Sequence, residues 1–125
     1  MDGLNWNDVR DLARRVAQGE PLALTEETRS ILRRTAPQVG IALGDAERAL
    51  QSESSAAELL EEISRRISSG SRRLSRTLSE VERYRDLGNT DGARQLLSNV
   101  LEVEVVPHYQ DILRVNLASL DDESR

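Results

Sequence analysis

Three side chains near the end of the sequence have the types and the spacing of a small metal or proton-transfer site. Glu104, His108 and Asp111 follow one another at i, i+4 and i+7, so a helix would place them on one face. Carboxylate and imidazole groups bind transition metals, and an imidazole can also act as a general base toward a serine. Pro107 lies within the set, however, and a proline inside a helix disturbs the geometry on which this spacing depends.

The rest of the composition argues against metal binding or catalysis by these three residues. His108 is the only histidine and the chain has no cysteine, so no second strong ligand of either type is available. No nucleophile-elbow motif or glycine-rich loop accompanies the serines. We therefore predict no catalytic, cofactor-binding or metal-binding residue and expect a protein that is not an enzyme. The alternative is a small metal-dependent or hydrolytic protein centred on His108.

A group of arginines forms the second candidate site. The segment SRRISSGSRRLSR contains no acidic residue, and on a helix its arginines lie together, away from the apolar stripe. The guanidinium group offers a rigid fork that matches a carboxylate or a phosphate. We predict a partner-binding surface here, against the alternative that these side chains are only solvated and paired with acids elsewhere. Its candidate residues are Arg65, Arg66, Arg72, Arg73 and Arg76.

The charge and the aromatic content indicate what kind of partner to expect. The net charge is −5, which argues against general binding to a phosphate backbone, and one Trp and two Tyr offer few rings on which bases could stack. All 17 basic residues are Arg, which excludes Schiff-base and P-loop lysine chemistry. We therefore expect a protein partner of unknown identity and no nucleic-acid partner.

Helices are the elements that must position these residues. A core without phenylalanine has to be built from Leu, Ile, Val and Ala, which suits helices packed through narrow stripes. The pattern predicts three short N-terminal helices over 5–17, 25–37 and 45–50. A long helix with a coiled-coil-like apolar stripe is predicted over 56–87, and a last helix over 90–120.

The two long helices predict an antiparallel hairpin. The segment DLGNTDG supplies a short polar turn between them, so residues whose numbers sum to about 178 are expected to face each other. This places Val81 opposite Leu97. It also places Gly70 opposite His108 and Tyr109, where a glycine would relieve crowding.

We interpret Pro107 as a bend within the last helix. A proline removes a backbone hydrogen bond and clashes with the preceding turn, which lets the second half of a helix re-aim its apolar stripe. Three residues near the bend are expected in the core, namely Val105, Val106 and Tyr109. Two are expected at its exposed rim, namely Glu104 and His108.

Together these elements predict an all-α fold, with three short N-terminal helices packed on a long antiparallel helical hairpin that has a proline bend in its last helix. We expect a single helical domain over 1–125, with a short-helix subregion over 1–52 and the hairpin over 56–120. Trp6 is expected to anchor the first helix to the core. A two-helix hairpin buries only one side of each helix, which leaves room for a homodimer.

The composition also indicates a compartment. The first residues lack the basic and apolar regions of a signal peptide, and no apolar run approaches the length of a membrane span. No cysteine is available for disulfides. We therefore expect a cytoplasmic protein without a membrane segment.

Several segments taken together resemble one known family. GEPLALTEETRSILRRTA, DAERAL, ISSGSRRLSR, RYRDLGNTDGARQLL and VLEVEVVPHY are similar to the DUSAM domain, a family of unknown function found mainly in myxobacteria. The resemblance extends from about Trp6 to Leu120, nearly the whole chain. It implies a helical, cytoplasmic, myxobacterial domain. The use of Arg without Lys agrees with this origin, because Arg has GC-rich codons and Lys does not, as expected of a GC-rich bacterial genome. The resemblance supplies no activity and no site residue.

Overall fold

All the regular structure in the described part of the chain is helical. The computed structural model describes residues 5–123, and no strand occurs in them, which confirms the predicted all-α class. No helix within this range is both long and apolar enough to cross a bilayer. The helices are α1 Asn7–Ala17, α2 Glu26–Gln38, α3 Leu43–Ala49, α4 Glu53–Asp86, α5 Thr90–Val103 and α6 Pro107–Glu123.

The chain divides into two compact units, and each is described separately. The N-terminal unit is Met1–Ile67 and the C-terminal unit is Ser68–Arg125. The boundary lies inside α4, so this helix contributes its first part to one unit and its second part to the other. The expectation of one domain over 1–125, with subregions over 1–52 and 56–120, stays a prediction.

The short helices of the N-terminal unit begin and end at local signals in the sequence. The hydroxyl of Thr25 accepts a hydrogen bond from the backbone N–H of Thr28 at 3.1 Å and so caps α2. Gly19, with φ 101°, follows α1 in a conformation that residues with a Cβ rarely adopt. Trp6 is buried, and its indole N–H donates to Oε1 of Gln38 at 3.0 Å, which confirms its predicted role as an anchor.

Aliphatic side chains from every helix of this unit are buried, as the composition predicts for a core without phenylalanine. Each such leucine or isoleucine contributes about 1.5–3 kcal/mol when it leaves water. The buried aliphatic residues include Val9, Leu12, Ile31, Leu32, Val39, Ala46, Leu50, Leu60 and Ile63.

The second part of α4 packs with α5 and α6 around an aliphatic core in the C-terminal unit. Its buried members are Val81, Ala93, Leu97, Leu113 and Leu120. Asn89 begins α5, because its side-chain oxygen accepts the backbone N–H of Gly92 at 2.9 Å. The ring of Tyr84 on α4 lies so close to α5 that a Cβ on Gly92 would be 2.8 Å from it. These contacts agree with the predicted hairpin, in which Val81 and Leu97 face each other.

The end of the chain differs from the single bent helix that the sequence predicts. α5 ends at Val103 and α6 begins at Pro107. An ion pair of 3.2 Å joins Arg94, near the start of α5, to Asp121, near the end of α6, so α6 runs back along α5. The physical reason is that a proline disfavours the helical conformation of the preceding residue but is well accommodated as the first residue of a helix. The unit therefore contains three packed helical segments.

Candidate functional site

The buried carboxylate of Glu104 organises the connection between α5 and α6. Only 1% of this side chain is exposed, and its Oε1 accepts a hydrogen bond from Nη1 of Arg73 on α4 at 2.8 Å. Its Oε2 accepts the backbone N–H groups of Val105 and Val106, both at 3.0 Å. The side-chain amide of Gln110 donates to the backbone carbonyl of Glu104 at 2.7 Å. One carboxylate thus satisfies two backbone donors before α6 and binds a guanidinium group from α4.

Gly70 allows α4 to approach this connection closely. A Cβ at this position would lie 2.6 Å from the ring of Tyr109 and 3.2 Å from Oε2 of Glu104. A contact of 2.6 Å is shorter than carbon atoms tolerate, so only glycine fits without a shift of the ring. A glycine in a helix costs about 1 kcal/mol relative to alanine, and this packing is what the glycine makes possible. The predicted proximity of Gly70 and Tyr109 is confirmed.

Two burial predictions for this connection are wrong. Glu104, expected at an exposed rim, is buried, and Val105, expected in the core, is 45% exposed. The cause is that the backbone leaves the helix after α5 and becomes extended, so neighbouring side chains alternate between inside and outside. Val106 and Tyr109 are buried and His108 is exposed, as predicted. We interpreted the proline as a bend, whereas in the structure it is the first residue of a new helix, a position that proline commonly occupies.

The structure does not bring together Glu104, His108 and Asp111, the set considered as the alternative metal or proton-transfer site. Glu104 lies outside any helix, and its carboxylate already accepts three hydrogen bonds. Asp111 is exposed and pairs with Arg114 at 3.2 Å, while the His108 ring lies 5.9 Å from the ring of Tyr109, centroid to centroid. Among the residues that the structure describes, no group of three or more potential ligands could hold a metal ion. The alternative centred on His108 gains no support from this geometry.

Arg65 and Arg66 lie in the N-terminal unit and share one acidic partner. Both guanidinium groups contact the carboxylate of Glu62. The hydrogen bonds from Arg65 and then from Arg66 hold the pKa of Glu62 below its ordinary value. Arg66 is only 24% exposed and also donates to the backbone carbonyl of Val39 at 3.0 Å. These two predicted partner-binding residues are therefore engaged in contacts within their own unit.

The other three predicted arginines lie in the C-terminal unit and have different environments. Arg73 is half-buried and bound to Glu104, so it supports the connection between α5 and α6. Arg72 and Arg76 are exposed, and neither side chain forms an ion pair or hydrogen bond with any other residue that the structure describes. Their spacing of i, i+4 places two positive charges side by side on one helix.

Arg72 and Arg76 belong to an exposed face of α4 that consists of arginine and serine alone. All the exposed positions between 68 and 79 are Ser68, Arg72, Ser75, Arg76 and Ser79, which we call the arginine–serine surface. This surface carries positive charge and hydroxyl groups but neither a carboxylate nor an apolar side chain. It is suited to an anionic partner and offers no ring or aliphatic group to a hydrophobic one.

The chain is similar to known proteins at the level of a family model. No curated protein matches the sequence, and no solved structure matches it either. A family model described as "Protein of unknown function (DUF2379)" matches residues 4–120. The chain therefore belongs to the DUF2379 family, whose function is unknown.

Proposed function

We propose that this protein is a non-enzymatic interaction or regulatory module that binds an acidic protein partner through Arg72 and Arg76. One observation carries the proposal: these two arginines are exposed side by side and have no partner within the described chain. Most of the other arginines in the described part of the chain lie within ion-pair distance of a carboxylate, as Arg33 does with Glu47 and Arg114 does with Asp111.

Arg72 and Arg76 do not stabilise the fold of the free protein. Two like charges at i, i+4 destabilise a helix by about 0.2–0.5 kcal/mol, and the acid-free segment around them supplies no compensating charge. Carboxylates from a partner would remove this repulsion and could form bidentate contacts with each guanidinium group. A surface that lowers stability in the free protein but gains contacts on binding is characteristic of a functional site.

The proposal narrows the set of five arginines predicted from the sequence. Arg66 and Arg73 are half-buried and bound within their own units, and Arg65 shares the carboxylate of Glu62. Substitution of Arg73 would therefore disturb folding, so a loss of binding in that variant could not be assigned to the surface. A test of partner binding has to use Arg72 and Arg76 alone.

The lineage and the compartment form a finer part of the same proposal. We infer that the chain is a DUSAM domain of myxobacterial origin that acts in the cytoplasm. This inference rests on the residue pattern that resembles DUSAM domains and agrees with membership of a family of unknown function over residues 4–120.

Affinity capture from the native cell, followed by mass spectrometry, tests the proposed function. The wild-type protein is compared with Arg72→Glu/Arg76→Glu and with Arg83→Glu/Arg85→Glu, a control that makes the same charge change on the same helix where Glu80 and Glu82 are the existing partners. Circular dichroism verifies that each variant is folded. We expect the wild type and the control to capture an acidic protein, and the first variant to lose at least about 90% of it. Equal capture by both variants would contradict the proposal.

A further inference from the structure

We infer that the acidic partner of the arginine–serine surface is a second copy of this chain, which presents Glu58 and Glu61. The inference rests on the proposed function, because it names an occupant for the same surface. It goes further in that it predicts self-association driven by charge.

Glu58 and Glu61 form an acidic counterpart to the two arginines. Both are exposed on the first part of α4, and neither forms an ion pair with any residue in the described range. Their spacing of i, i+3 puts them on one side of the helix. The nearby Glu62 differs, because Arg65 and Arg66 already neutralise it. The structure thus places two unpaired carboxylates close together on the first part of α4 and two unpaired guanidinium groups close together on its second part.

The spacing of the two charge pairs is compatible with direct contact between helices from two copies. With a rise of about 1.5 Å per residue, Glu58 and Glu61 lie about 4.5 Å apart along the helix axis, and Arg72 and Arg76 lie about 6 Å apart. The long arginine side chain readily spans a difference of this size. Two helices side by side can therefore form both ion pairs at once. The serines of the arginine–serine surface are small enough to allow a close approach.

The net charge of the protein does not prevent this contact. Two copies of net charge −5 repel each other at long range, but the screening length is about 8 Å at physiological salt. Ion pairs at contact distance are screened much less than the total charge. Exposed ion pairs are individually weak, at about 0.2–1 kcal/mol each, so we expect association only at high protein concentration and with a strong dependence on salt.

Sedimentation equilibrium of the purified full chain provides the test. The wild type is measured at concentrations up to about 1 mM in low salt and again in about 1 M salt, where the screening length falls to about 3 Å. Two charge-reversal variants, Arg72→Glu/Arg76→Glu and Glu58→Arg/Glu61→Arg, are measured singly and as an equimolar mixture. Circular dichroism confirms that both retain their helices.

We expect the wild type to associate in low salt and to become monomeric in high salt. Each variant alone should be monomeric, because it carries like charges on both surfaces, and the mixture should associate again, because each surface then meets its opposite. A wild type that stays monomeric in low salt overturns the inference. Association that persists unchanged in both variants also overturns it, since another surface is then responsible.

The two experiments together distinguish self-association from binding to a different acidic protein. If the wild type does not associate with itself but captures an acidic protein that Arg72→Glu/Arg76→Glu fails to capture, the second copy is excluded and the partner surface is retained. If neither self-association nor capture depends on these arginines, both proposals are contradicted.

Discussion

Arg72 and Arg73 are neighbours in the sequence but belong to two different regions of the C-terminal unit. Arg73 binds the buried carboxylate of Glu104 and supports the α5–α6 connection, whereas Arg72 lies on the arginine–serine surface without a partner in the described chain. Adjacent positions on a helix lie about 100° apart, so one can face a packed helix while the other faces solvent. Local sequence alone therefore cannot separate a structural arginine from one available for binding.

The two regions also differ in how completely their polar groups are satisfied. At the α5–α6 connection, the carboxylate of Glu104 accepts hydrogen bonds from Arg73 and from two backbone N–H groups. No buried side-chain nitrogen or oxygen in the described residues lacks a hydrogen-bond partner. The arginine–serine surface has the opposite character, with two like charges in contact with solvent. We infer that the first region stabilises the fold and propose that the second binds a partner.

The largest effect is expected from Glu104→Ala. This substitution removes the acceptor for two backbone N–H groups and leaves Arg73 without its counter-ion. We expect the free energy of unfolding to fall by about 2–4 kcal/mol, measured by urea denaturation, because breaking a buried pair costs more than the pair contributes. Glu102→Ala, at an exposed position on α5, is the control and should change stability by less than about 0.5 kcal/mol. Similar losses in both variants would remove the distinction between the regions.

Gly70→Ala should have the next largest effect. The added Cβ would meet the Tyr109 ring at 2.6 Å, so the ring has to move away from the α5–α6 connection. We expect a loss of about 1–2 kcal/mol, the remainder after the overpacking cost is reduced by the better helix propensity of alanine. Gly44→Ala is the matched control, since its nearest neighbour would be an atom of Arg48 at 3.9 Å, and this variant should be neutral or more stable by up to about 1 kcal/mol. A stabilised Gly70→Ala protein would show that the close approach is unimportant.

A smaller, pH-dependent effect is expected from Glu62→Gln. Hydrogen bonds from Arg65 and Arg66 lower the pKa of Glu62 in the folded protein. A carboxyl with a lowered folded-state pKa stabilises the fold above its unfolded-state pKa, and this contribution is lost as the pH falls through the folded-state pKa. Chemical denaturation of both proteins should therefore show the wild type to be more stable at neutral pH, with the difference shrinking as the solution becomes acidic. A difference that is independent of pH would mean that the charge of Glu62 is not involved.

The smallest effect, and one of opposite sign, is expected from Arg72→Glu. This change replaces a like-charged pair with a glutamate four residues before Arg76, which is the favourable order for an ion pair on a helix. We expect a gain of about 0.2–0.5 kcal/mol in thermal or urea unfolding. Arg72→Gln, which removes the like charge without adding an acid and has a similar helix propensity, provides the control and should gain less. A clear loss of stability in Arg72→Glu would indicate that Arg72 has a structural partner.

The sequence predicts the helices of this protein better than it predicts the packing at its end. The apolar periodicity and the local capping residues, such as Thr25 and Gly19, identify the positions of α1 to α4 to within a few residues. These signals are local, because a cap or a left-handed glycine acts on its own helix. The reversal at Pro107 was missed because a proline is compatible with both a bent helix and a new one.

The candidate site could be predicted only in part for the same reason. The acid-free run of arginines is visible in the sequence, and it contains the two residues on which the proposal rests, Arg72 and Arg76. The separate role of Arg73 depends on Glu104, which lies 31 residues further along the chain and was expected at the surface. Long-range pairing of this kind follows from the tertiary structure and leaves no periodic signal in the sequence.

The most direct test of this account compares Arg73→Ala with Arg72→Ala in urea denaturation at neutral pH. The account predicts that Arg73→Ala loses about 2–4 kcal/mol, because it leaves the carboxylate of Glu104 buried without its counter-ion. It predicts that Arg72→Ala changes stability by less than about 0.5 kcal/mol, as a solvated residue should. Equal losses in the two variants, or a larger loss in Arg72→Ala, would contradict the division between a structural and a binding arginine.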